Sequence, residues 1–134
     1  LKPHLRSVLL EIVMKLDRKK ILGDAMHHYG GHFSGSHSYS MSVECVDLAD
    51  VWLNNYQEDF GALMAKSPRE MRKELRKYVR SNVSYSDHKA TFIPAFIWVA
   101  IAQAIISWIV GKIIDNVLEQ RDEGRYLTVN PDST

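Results

Sequence analysis

The stretch that most constrains this chain runs from Ala90 to Gly111, ATFIPAFIWVAIAQAIISWIVG, without one Asp, Glu, Lys, Arg or His. The bounding charges are Lys89 and Lys112. About 18 or more consecutive uncharged, mostly apolar residues can cross a hydrocarbon core roughly 30 Å thick as a helix. Pro94 suits a helix start, where its missing N–H would be unpaired anyway. Beyond Gly111 the pattern turns amphipathic, with Lys112, Asp115, Glu119 and Gln120 among Ile113, Ile114, Val117 and Leu118. One helix from about Pro94 to about Gln120 is therefore expected.

Three environments fit such a helix. It spans a bilayer, it is the buried centre of a bundle or oligomer, or Pro94 divides a short strand from a shorter buried helix. The leading expectation is the membrane span. Ala100, Ala104, Ser107 and Gly111 recur at steps of four and three, so they share a face on which another helix can pack closely. Trp98 and Trp108 lie inside the run rather than at its ends, unlike belt tryptophans.

The rest of the chain is expected to be mainly α, a helical bundle with an additional small β-hairpin at about 26–46. The organisation expected is a helical soluble part at 1–89, the long apolar helix at 90–120 and a polar tail at 121–134. Pro3 to Lys20 carries Leu5, Val8, Leu9, Ile12, Val13 and Leu16 at helical spacing, with Gly23 as its stop. Gly30, Gly31 and Gly35 argue against helix in the following segment. From His37 to Val46, Tyr39, Met41, Val43 and Cys45 alternate with Ser38, Ser40, Ser42 and Glu44, the period of a half-buried strand. Asp47 is the expected N-cap of a helix reaching Lys66, with Trp52 and Phe60 as core anchors. The single Cys45 can form no intrachain disulfide and reads as a small core residue.

Ser67, Pro68 and Glu70 spell a helix start, with a cap, a proline in the first turn and a capping box. Arg69, Arg72, Lys73, Arg76, Lys77 and Arg80 then share one helical face, and Met71, Leu75, Tyr78 and Val79 lie towards the other. Like charges this close repel by a few tenths of a kcal/mol per pair. The face is the candidate surface for phosphates, first of all anionic lipid headgroups. Nucleic acid ranks lower, because no base-reading motif accompanies the helix.

The net charge of +1 hides an asymmetry. The basic residues gather before the apolar run, whereas Asp115, Glu119, Asp122, Glu123 and Asp132 follow it. For a spanning helix this puts the N-terminal part on the cytoplasmic or matrix side.

Imidazoles are good ligands for zinc and related metals, and His27, His28, His32 and His37 are the candidate metal ligands. HHYGGH is not the helical H-E-x-x-H pattern, however, and no Gly-rich phosphate loop or nucleophile motif is present. No cofactor is implied. The functional expectation is a non-catalytic structural or accessory subunit of a membrane-associated assembly, with partner subunits on the apolar helix and lipids on the basic one. The alternatives are a soluble structural or interaction module, such as a virion or homo-oligomer component with that helix buried between subunits, and a small metal-dependent enzyme using the histidine loop.

Overall fold

A computed structural model of the chain describes residues 14–30 and 35–124. The described residues form five α-helices and one 3₁₀ turn: α1 (Arg18–Tyr29), α2 (Gly35–Asn54), α3 (Phe60–Met64), α4 (Pro68–Asn82), the turn at Tyr85–His88, and α5 (Ala95–Glu123). The expected helix at Pro3 to Lys20 lies mostly outside the described residues, as does the tail beyond Gly124.

The helix starts follow local chemistry. Ser67 accepts from the Glu70 N–H, and the Glu70 carboxylate accepts from the Ser67 N–H, so the capping box is complete. Asp17 caps α1 by accepting from the Lys20 N–H, and Asp59 caps α3 by accepting from the Ala62 N–H. At its far end α5 closes on Gly124, whose positive φ of 72° is cheap only for glycine.

α5 is the longest element, and its apolar inner face is the centre of the fold. Ala102, Ile105, Ile106, Ile109, Val110, Ile113, Ile114 and Val117 are buried. They pack with Ile21 and Ala25 of α1, Met41, Cys45, Ala49 and Trp52 of α2, and Met71, Leu75 and Val79 of α4 in one core.

α1 runs antiparallel to α5: Lys20 meets Glu119, Asp24 meets Lys112, and the His28 ring stacks on Trp108. α4 is antiparallel as well. Arg121 near the end of α5 reaches the Lys66 carbonyl before α4, while Trp98 near its start donates to the Tyr85 carbonyl after α4.

Two expectations change here. The small hairpin at about 26–46 is not formed. Met26 to Tyr29 belongs to α1, and Gly35 to Val46 is the first half of α2. The serines are the reason. Ser38 and Ser42 are small enough to be buried at the helix contact, and Ser42 donates its hydroxyl to the Ser38 carbonyl one turn back. Asp47 is accordingly mid-helix, where it pairs with Arg18 instead of capping. Gly23 does not stop α1 but sits inside it, with open space where a Cβ would go. The helix expected from 46 to 66 is interrupted at 55–59.

Candidate functional surface

On α4, Met71, Leu75 and Val79 are fully buried, which turns the opposite side outward. Arg69, Lys73, Lys77 and Arg80 are exposed, and Arg72 and Arg76 are half-buried at the edges of that face. Among the described residues none of these six cations forms an ion pair.

The two acids of α4 are committed elsewhere. Glu70 is turned to the Ser67 cap, and those hydrogen bonds hold its carboxyl below the ordinary value. Glu74 accepts from the Trp52 indole N–H at 3.1 Å and from the Tyr56 hydroxyl, and pairs with Lys66 at 3.1 Å. Burial opposes ionisation of Glu74, but the bonds from Tyr56, Lys66 and Trp52 outweigh it and lower its pKa. The basic face is left with no carboxylate of its own helix to neutralise it.

By length and composition α5 is a candidate membrane span, with a mean hydropathy of 1.9 over its most apolar 18-residue window. Of that window 44% is buried inside the bundle. Ile101 and Trp108 are half-buried against the core, and Phe96, Val99, Ala100, Ala104 and Ser107 are exposed. Among the described residues, the first turns of α5 have little cover. Phe96 is 78% exposed, and Phe92, Ile97 and Val99 are exposed with it. Trp98, one position from Ile97, is 1% exposed and points into the core.

The four small residues lie on the same outward side. Ala100, Ala104 and Ser107 are exposed and Gly111 is half-buried. Among the described residues, the side from Phe96 to Gly111 is uncharged, mostly apolar and largely exposed over about 24 Å of helix, at 1.5 Å rise per residue.

Tyr85 ties the two surfaces together. Its hydroxyl donates to the Arg80 carbonyl and accepts from the Gln103 side chain, and its carbonyl accepts from Trp98. The cationic end of α4 is thereby fixed beside the bare start of α5.

The histidines separate. His27 and His28 are exposed on α1, His37 is half-buried in α2, and His32 lies outside the described residues. Among the described residues no three His, Cys, Asp or Glu side chains gather as metal ligands would.

Sequence reasoning missed a second polar cluster. His88, in the 3₁₀ turn, bridges Ser40 and Glu44 of α2. Ser40 and Glu44 are four apart, a spacing that places them on one helix face, but only the fold brings His88 to them. Cys45, next in the chain, is no part of that chemistry. Burial, with the Glu44 charge adding to it, pushes its thiol up to about 12.

Comparison with protein-family models, with curated proteins and with solved structures finds no match.

Proposed function

We propose that this chain is an accessory docking module that rests on an anionic membrane surface, with α5 in the plane of the interface. The observation that carries the reading is the two-sidedness of α5, whose inner side is protein core and whose outer side from Phe96 to Gly111 is apolar and uncharged. A helix with one apolar side to spare lies at the headgroup–acyl boundary, sunk about 5–10 Å.

In this reading α5, though long and apolar enough to cross a membrane, lies flat instead of spanning it. Crossing the bilayer would carry the helices packed on the inner side of α5 into hydrocarbon, including the charges of α1 and α4. A charge at the bilayer centre costs at least about 2.5–3.5 kcal/mol each. Lying flat avoids that cost. The cations at the Arg80 end of α4, which Tyr85 ties to the start of α5, contribute about 1 kcal/mol apiece where they reach anionic lipid, and full burial of Phe96, Ile97 or Val99 adds about 1.5–3 kcal/mol each. Anionic lipid is concentrated in the cytoplasmic leaflet, so this reading places the chain there.

A second reading is favoured by Ala100, Ala104, Ser107 and Gly111 sharing the outward side. A helix of another subunit would find there a shallow groove that allows close approach.

Flotation with liposomes separates the two. Binding to vesicles rich in phosphatidylglycerol, weaker on pure phosphatidylcholine and weakened by salt, supports the membrane-surface reading. A discrete lipid-free oligomer that ignores both vesicle types removes it and leaves the helix-partner reading.

A further inference from the structure

Ser40 Oγ lies 2.6 Å from His88 Nδ1, and His88 Nε2 lies 3.0 Å from Glu44 Oε1. The carboxylate is fixed from a second direction by the Ser84 N–H at 2.8 Å. Burial opposes its charge, but the bonds from Ser84 and His88 prevail and keep Glu44 more acidic than usual. A neutral imidazole carries one N–H and one lone pair. With the N–H turned to Glu44, the lone pair faces the Ser40 hydroxyl. That is the nucleophile–base–orienter order of activated serines, which is recognised by geometry and not by sequence position.

Ser40 is exposed, and its hydroxyl bonds to the imidazole rather than back to its own helix as Ser42 does. The cleft beside it measures ≈ 520 Å³ and is walled by Tyr39, Val43, Asp47 and Asp87. Two apolar side walls and a carboxylate rim admit neutral or cationic molecules and repel anions.

We infer that Ser40 is an activated nucleophile that takes acyl groups from neutral or cationic carboxylic esters bound in this cleft. This activity is independent of membrane docking and departs from the non-catalytic expectation. Ser40 Oγ bonds to the carbonyl carbon as its proton passes to His88 Nδ1. The bond to the leaving alcohol then breaks, and the alkoxide departs with that proton. Water releases the acyl group by the same route: His88 takes its proton, Ser40 Oγ regains one, and a carboxylic acid leaves. Glu44 acts as the positioning residue. Ser40 sits in the interior of α2, where backbone N–H groups are spent on the helix, so its own helix supplies no backbone oxyanion hole. The reaction is therefore confined to esters with good leaving groups.

The test is covalent labelling of the full chain with diisopropyl fluorophosphate, where phosphorus replaces the carbonyl carbon and fluoride leaves, followed by peptide mass mapping. Ser40 is expected to label at least about 100-fold faster than Ser107, an exposed serine on α5, the lower range of general-base assistance. His88→Gln should reduce Ser40 to the Ser107 rate, and added imidazole should restore part of it. Glu44→Gln should slow labelling of Ser40 and Glu44→Asp should restore part of the rate, a rescue that loss of packing alone would not give. Labelling of Ser40 no faster than Ser107 overturns the proposal. So does undiminished Ser40 labelling in a folded His88→Gln variant.

Discussion

Asn116, near the end of the long helix, accepts a hydrogen bond from the backbone N–H of Asp17 at 3.0 Å, across 99 positions of sequence. The same amide oxygen accepts from Gln120, which also reaches the Lys15 carbonyl. This polar lock fastens the chain before α1 to the amphipathic end of α5. It holds one side of the last third of α5, with Ile113, Ile114, Asn116, Val117 and Gln120, inside the bundle.

Asn116→Leu should therefore cost about 1 kcal/mol, because it removes a part-buried hydrogen bond to the Asp17 N–H and the acceptor of Gln120. A fall in the urea midpoint with an unchanged slope checks this.

The two sides of α5 should respond differently to truncation. Ile109 is fully buried, and Ile109→Ala should cost about 2–5 kcal/mol. Val99 is on the outer side, and Val99→Ala should stay within about 0.5 kcal/mol in the absence of lipid. Equal losses at both sites would mean that the outer face is covered by protein.

Glu74 sets a pH dependence with a definite sign. Its carboxyl is more acidic folded than unfolded, so the unfolded chain binds more protons once the pH drops towards 4.5. The stability it contributes is complete above the unfolded value and is lost as pH falls through the folded one. Glu74→Gln should lower the urea midpoint at pH 7 and flatten its decline between about pH 5 and about pH 3. Glu70 and Glu44 shift in the same direction and leave a residual slope.

Reversing the two half-buried cations, Arg72→Glu with Arg76→Glu, should weaken binding to anionic vesicles by more than about 10-fold, given about 1 kcal/mol per basic residue removed and further loss from the new repulsion. Thermal stability should hardly move, since neither residue has an ion pair among the described residues. Unchanged vesicle binding would make the face merely solvated.

Much of this was readable in the sequence, for local reasons. The start of α4 is written in Ser67, Pro68 and Glu70, and its two faces follow from helical spacing. The long helix follows from its lack of charge. α2 was misread because Ser38, Ser40 and Ser42 alternate with Tyr39, Met41, Val43 and Cys45, a pattern that mimics a strand. A period of two cannot reveal that small serines are buried at a helix contact. The direction of the small-residue side of α5 was also hidden, because a helix apolar all round does not say which side its own chain will cover. The Ser40–His88–Glu44 chain joins residues 48 and 44 positions apart, so no local pattern marks it.

The most direct test of the membrane reading is depth. Single spin labels placed in turn at 96, 100, 104, 107 and 111, in chains whose only other thiol is the buried Cys45, can be read by power saturation on anionic vesicles. A helix lying in the interface predicts similar shallow depths at all five, within about 5–10 Å of the boundary. Depths that descend to the bilayer midplane and rise again along the series, or labels that meet no lipid at all, would contradict it.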